Sequence, residues 1–374
     1  MDKFRSNGLR VRAGLTFTIL VAFAGWLTGQ SFFDLLYSET SHYPRSLSLT
    51  VATDSLYAVK VIPQKAVAQK TTMGFTDVEG NSHQWDVKLE VRGKFRRQYC
   101  DLAPLRLNLN KSTLADKKLN TFDKYRLVVP CFKTPTSHEE VMKEYLAYRA
   151  YNIISSASLR VQLLSITFRD PLGHKPDRTV PAFIVETYGE LVARLHHVAA
   201  VKTIGISPTN YISSGEATNA LFQYLIGNTD WDASLAHNTI FLEQDNGKFI
   251  PFGYDFDFSG WVNAAYAKPR NSIGQYSVTQ RVYLGYTQPD SVLLPVIKVF
   301  SSQKERLYHL IETAPITKQE KRRLSKYTDE FFTQMDALVK ADRKLTSVYE
   351  RLRGKEAHLI STGMNPDNFK MPRH

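Results

Sequence analysis

The chain has 374 residues, 43% of them aliphatic, aromatic or cysteine. That content excludes a low-complexity or disordered protein and is enough for one large domain or two lobes sharing a cleft. Its 48 Lys and Arg against 36 Asp and Glu leave a formal net charge of +12, which favours anionic partners such as nucleotide phosphates, anionic lipid headgroups or acidic envelope polymers; no nucleic-acid-binding module is recognisable, so nucleic acid is set aside as a partner.

Residues 1–34 open with Lys3, Arg5, Arg10 and Arg12, and no further charge follows until Asp34. A basic stretch before an apolar run is an export signal, either a cleaved signal peptide or an N-terminal membrane anchor. The strongly apolar part, Leu15 to Leu27, is short for a span of roughly 20 residues. Cleavage after Ala24 and persistence as a tilted anchor with Trp26 and Phe32-Phe33 both stay open. Either outcome predicts an exported protein, periplasmic or held at the inner membrane facing outward.

Residues 35–46 read as a linker. From 47 to 186 the pattern is a sheet-rich small lobe with one helix. Strands are expected over Leu47–Val51, Ser55–Val61, Trp85–Val91, Pro104–Leu109 and Lys124–Val129, with a loop around Lys111 to Asn120. A helix follows over Ser137–Ile154, capped by Ser137 with Glu140 as its capping-box partner. Its apolar face holds Val141, Tyr145, Ala147 and Tyr148, with Glu144 beside it. Two further strands are expected over Leu159–Arg169 and Val180–Val185. Cys100 and Cys131 each stand beside a strand and are read as one disulfide, two buried free thiols being the alternative. From 187 to 374 the chain reads as a mainly helical large lobe that carries an acidic site. It holds a helix over Gly215–Gly227, ending at Gly227 as a natural C-cap, and a tiny hairpin at Thr239–Leu242 and Phe249–Pro251.

That acidic site lies in two loops flanking the hairpin. They place Asp230, Asp232, Asn238, Asp255 and Asp257 within 28 residues. Crowded carboxylates raise one another's pKa, and a cation relieves the cost. Oxygen ligands of this kind suit Mg²⁺, Mn²⁺ or Ca²⁺. Phosphoryl transfer needs such a set, with one Asp near the attacking hydroxyl and an Asn and a second Asp on the metal. Turn formation alone would account for one Asp-Asn pair, but less well for five groups. His237 is read as shaping the loop, and Tyr145, Tyr148 and Tyr151 as packing residues with polar tips.

The runs Asn228-Thr-Asp-Trp231, His237-Asn238 and Tyr254-Asp-Phe-Asp-Phe-Ser-Gly260 resemble the spore-coat CotH kinase-like family, within it an exported bacterial branch. Val91-Arg-Gly-Lys94, Tyr125–Cys131, Lys143–Asn152 and Phe183–Glu186 extend the resemblance. It implies an α+β, two-lobed protein-kinase-like fold, with a small antiparallel-sheet lobe and a larger mainly helical lobe. Asp230 would orient the acceptor hydroxyl, with Asp232, nearer to Asn238, as the alternative. Asn238 and Asp255 would hold the metal, and Asp257, two residues on, would share their face. Glu144 would pair with the phosphate-contacting base, Lys124 or Arg126, which share one strand face. Glu186 would lie at the strand hinging the lobes. The cofactors implied are Mg²⁺ or Mn²⁺, Ca²⁺ alternatively, and ATP. The function implied is metal-dependent phosphoryl or nucleotidyl transfer to a protein or envelope-polymer hydroxyl. An inactive binding or scaffolding module is the first alternative. A hydrolase or glycosyl transferase using Asp230 and Asp232 as its metal pair is the second.

Overall fold

The computed structural model describes residues 29–40, 43–54, 68–93, 95–197, 199–341 and 346–354. The expected export segment up to residue 28 and the expected strand over 55–61 lie outside the described residues. No helix among the described residues is long and apolar enough to cross a membrane.

Four of the first five strands fall where alternation was read, β1 (Arg45–Thr50), β3 (Ser82–Val91), β4 (Leu105–Asn108) and β5 (Lys124–Val128), while β2 (Gln69–Thr76) was not expected. Leu47 and Leu49, Met73 and Phe75, Trp85, Val87 and Leu89, Leu105 and Leu107, and Tyr125 and Leu127 are all buried, the period of two that turns one face inward. With β6 (Val161–Arg169) and β7 (Arg178–Val185), these strands form a closed barrel in the order β1-β2-β3-β4-β5-β7-β6. Closure comes from β1, which pairs antiparallel with β2 and parallel with β6, so that Leu47 faces both Phe75 and Ile166. Helix α1 (Phe32–Leu36) fills the interior with Phe32, Phe33 and Leu36. The chain therefore enters its folded body before residue 34, where an export segment and then a linker were expected.

This arrangement overturns the two-lobed kinase-like fold. In place of a small antiparallel-sheet lobe the protein has a closed seven-stranded barrel of mixed strand direction, a separate three-stranded sheet and helices. Local alternation is the same in an open sheet and a closed one, so it could place single strands but not their joint topology.

Two short helices interrupt the barrel strands, α2 (Phe95–Tyr99) and α3 (Lys111–Asp116), the latter where a loop was expected. Between β5 and β6 runs α4 (Pro135–Ile154). Thr134, not Ser137, caps it by accepting from Ser137 N, and Pro135 takes the first position, where its missing N–H is harmless. Ser137 Oγ instead accepts from Phe132 N, and Glu140 accepts from Ala265 N. Helix α4 is buried on every side, including Lys143, which pairs with Glu320 at 3.0 Å; a one-faced amphipathic reading could not show this. It contributes to a second core with α5 (Tyr188–Leu195), α6 (Ser213–Ile226), α7 (Asp290–Ser302), α8 (Lys304–Thr313), α9 (Lys318–Lys340) and α10 (Val348–Arg353). A sheet of β8 (Ala199–Val201), β9 (Thr239–Glu243) and β10 (Phe249–Gly253), ordered β10-β9-β8, completes it.

Candidate functional site

Helix α6 ends at Gly227 in the left-handed conformation, φ 63°. A side chain there would run into the Tyr327 hydroxyl of α9, and one at Gly260 would meet the same hydroxyl. Gly260 N also donates to Gly227 O, 3.1 Å. The start of the first acidic loop and the end of the second are thereby clasped together, with β9 and β10 between them.

Within this frame Asn228 Oδ1 accepts from Asp230 N, 3.0 Å. Asp230 accepts from Asn238 Nδ2 at Oδ2, 3.0 Å, and its Oδ1 lies 2.9 Å from His237 Nε2. The carboxylate raises the pKa of His237 through that hydrogen bond, against partial burial. Across the open end of the hairpin, Tyr254 N donates to Asn238 O, 3.1 Å, which sets Asn238 beside Asp255. Asp255 N in turn donates to Tyr148 Oη, 2.8 Å. Ala236, Asn238 and Asp255 all take positive φ, 49°, 47° and 66°. Non-glycine residues pay for that conformation in strain, and such strain gathers at functional sites.

Facing Asp255 are two arginines. Arg92 follows β3, and Arg126 sits on β5, packed against the rings of Tyr188 (4.9 Å) and Tyr254 (5.2 Å). Burial lowers the pKa of Arg92, the nearby charge of Arg126 lowers it further, and Asp255 opposes both. Burial also opposes the charge on Arg126, but Tyr188, Tyr148 and Asp255 outweigh it and raise its pKa. Arg126 bonds only to Tyr188 Oη, 3.3 Å, and neither guanidinium has a carboxylate within ion-pair distance among the described residues. Two neighbouring cations without counter-ions form a receptor for an anion.

A second cluster lies behind. Arg96 of α2 reaches Glu144 Oε2 at 3.6 Å and Asp257 Oδ2 at 3.7 Å, and its Nη2 donates to Val129 O, 3.2 Å. Tyr266 Oη donates to Asp257 Oδ2, 3.0 Å. Burial, then the neighbouring Asp255, push Asp257 up to about 7, with Arg96 and Tyr266 opposing. Burial and Asp257 likewise hold Glu144 well above its ordinary value. One guanidinium between two buried carboxyls leaves one negative charge in excess, so the pair keeps a proton towards neutral pH.

Several expected roles change. Glu144 pairs with Arg96, not with Arg126 or with the exposed Lys124, because α2 intervenes. Glu186 is wholly buried and held by Arg160 and Arg194, so it anchors the end of β7. Asp232 Oδ1 accepts from Ser234 Oγ and Leu235 N, closing the turn. Asp257 faces Arg96 and Tyr266 and does not share the position of Asp255. The tyrosines of α4 are packing residues with bonded hydroxyls, and His237 braces Asp230. The Cys100–Cys131 disulfide is present. Sequence reasoning missed Arg92, Arg96, Tyr188, Tyr254 and Tyr266; Arg92 stood inside the quoted Val91–Lys94 run.

The donors fit a hard divalent cation. Asn238 spends Nδ2 on Asp230, which leaves its Oδ1 available, and the Asp255 carboxylate has no hydrogen bond or ion pair among the described residues. No three His, Cys, Asp or Glu side chains are grouped as a ligand set among the described residues. Mg²⁺ does not require one, since it takes one or two carboxylates with waters and phosphate oxygens. A cavity of about 550 Å³ elsewhere is lined by Arg149, Asn152 and Ile153 of α4 together with Glu305 and His309 of α8. It contains none of these groups. Comparison with protein-family models and with curated proteins gives no match.

Proposed function

We propose that the chain transfers a phosphoryl or nucleotidyl group, with a divalent metal, to a hydroxyl on a protein or envelope polymer. The observation that carries this is the pair of guanidiniums, Arg92 and Arg126, which have no carboxylate within ion-pair distance among the described residues and face the Asp255 carboxylate, itself without a hydrogen bond or ion pair among them. They suit a phosphate chain with its cation, ATP being the simplest donor. Asn238 and Asp255 would hold Mg²⁺ or Mn²⁺, which when bound offsets charge on the phosphate oxygens. Arg92 and Arg126 bind and orient the phosphates. Asp230, fixed by Asn238 and His237, accepts the hydrogen bond of the acceptor hydroxyl and orients it. The chemistry drawn from the CotH-like motifs is retained in this proposal without its fold. The basic N-terminal segment supports an exported protein with a membrane contact if that segment persists.

The second reading is a binding module without catalysis. It is favoured by Asp257, whose carboxyl lies turned inward on Tyr266 and Arg96. The test is thermal stabilisation of the full chain by ATP, with and without Mg²⁺ or Mn²⁺, alongside an assay of phosphate transfer to hydroxyl acceptors. At a hundredfold excess over Kd, ATP with Mg²⁺ should stabilise by about 2.7 kcal/mol. Asp255→Asn should abolish the metal-dependent part. Stabilisation without transfer selects the binding module; no response to any nucleotide or polyphosphate with either metal rejects both readings.

A further inference from the structure

We infer that Arg96 is a positioning residue for this site and that the Cys100–Cys131 disulfide is what seats it. Helix α2 has only five residues, far too few to be stable by itself. Its outer face gains little from burial, since Phe95 and Tyr99 are 46% and 52% exposed. Phe95 and Tyr99 rest by their ring edges on Phe258, Tyr266 and Phe132, whereas the hydrogen bonds that fix the backbone and the one covalent link gather at the end of β5. Arg96 Nη2 donates to Val129 O, Leu102 N donates to Cys131 O, 3.0 Å, and the disulfide joins Cys100 to Cys131. Cys100 N itself donates to Arg96 O, 2.9 Å, so the cross-link begins where the turn carrying Arg96 ends.

The seat is demanding. Arg96 is only 8% exposed, its two ion pairs are long at 3.6 and 3.7 Å, and its Nε has no partner. A buried guanidinium depends on such partners to stay out of water, and the Tyr266 ring, 5.7 Å from it, adds to them. Glu144 Oε1 is also buried and unpartnered, so that carboxyl has Arg96 as its one counter-charge within ion-pair distance among the described residues. Without Arg96, Glu144 and Asp257 would lie against each other uncompensated, directly behind Asp255. Closing the latch passes two electrons, and the proton of each thiol, to a disulfide oxidant by thiol–disulfide exchange; one S–S bond forms here as the oxidant's breaks to give two thiols. The site is therefore completed by oxidation. What Arg96 serves rests on the metal reading of Asp255, whereas how it is seated does not.

The experiment uses the full chain: oxidised, reduced with a phosphine, as the Cys100→Ser/Cys131→Ser double variant, and as Arg96→Met and Arg96→Lys. Mn²⁺ binding is read by electron paramagnetic resonance and local opening by amide hydrogen exchange. Reduction, the double serine variant and Arg96→Met should each weaken Mn²⁺ binding by about 10- to 100-fold. Arg96→Lys should recover part of the loss, and reducing Arg96→Met should add nothing further. Exchange over 95–102 should quicken on reduction while 161–185 stays protected. Unchanged Mn²⁺ binding on reduction, multiplying losses in reduced Arg96→Met, or unaltered exchange over 95–102 overturns the inference. If the oxidised wild type binds no Mn²⁺, the metal reading fails and exchange alone decides. Faster exchange over 143–148 in both reduced protein and Arg96→Met, no faster when combined, upholds the latch; any other pattern there refutes it.

Discussion

Glu186→Gln separates a structural anchor from a residue at a nucleotide hinge. Glu186 is fully buried and accepts four hydrogen bonds. Oε1 takes Arg160 Nε at 2.8 Å and Arg194 Nε at 3.0 Å; Oε2 takes Arg160 N at 2.8 Å and Arg194 Nη2 at 3.1 Å. Glutamine keeps one oxygen and sets an NH₂ donor against the other two donors in either orientation. Hydrogen bonds to charged groups are worth about 1.5–3 kcal/mol each, and breaking a buried pair costs about 3–5 kcal/mol. Both arginines retain some solvent and Arg160 also reaches Asp34 at 3.1 Å, so the expected loss is about 3–4 kcal/mol. With a urea m-value of about 3 kcal/mol/M, the unfolding midpoint should fall by about 1 M. Affinity for tripolyphosphate should not change. A loss under about 1 kcal/mol at constant m, or weakened tripolyphosphate binding at unchanged stability, would refute the anchoring role.

Glu216 of α6 is buried, and its oxygens accept from Tyr286 N and Gln288 Nε2, both at 3.0 Å. Burial, partly offset by those two bonds, raises its pKa from 4.5 to about 7, so the folded state binds its proton more tightly than the unfolded chain. That stability is fully present below pH 4.5 and lost as pH rises through about 7, amounting to roughly 3 kcal/mol; Glu216→Gln should flatten this slope in unfolding measurements across that window. Gly227→Ala combines a left-handed backbone with a clash at the Tyr327 hydroxyl. It should cost about 2–4 kcal/mol in chemical unfolding, and a loss under 0.5 kcal/mol would mean that Tyr327 does not clasp the two loops.

What was legible in the sequence was local. Alternation located β1, β3, β4 and β5 but passed over β2, and Gly227 stopped α6 as a left-handed C-cap should. The two acidic loops come together because the hairpin between them has a short turn, a feature visible in Asp245-Asn246-Gly247. Long-range pairing was not legible: no residue in β1 announces that its second neighbour is β6. The partner of Glu144 was hidden for a related reason. Arg96 lies in a helix too short to show a period. The disulfide was the available clue, because joining Cys100 to Cys131 brings Arg96 close to the end of β5. Burial of α4 on every side also defeated a reading by amphipathic face, and β8, three half-buried residues, has no pattern to see.

The parallel pairing of β1 with β6 has a kinetic consequence. Leu47 meets Ile166 across nearly the whole length of the barrel sequence, so the first strand has half of its partners only after the sixth is available. Contacts this distant in sequence must be reached against loop-closure entropy, which slows folding. As the chain emerges from the ribosome, β1 and β2 can pair early, but the other edge of β1 stays open until residue 169 is out. During that interval the phenylalanines of α1 have no finished interior to enter. The barrel should therefore form late and in one cooperative step, with α1 docking as it closes, while the α4 helix can form before either.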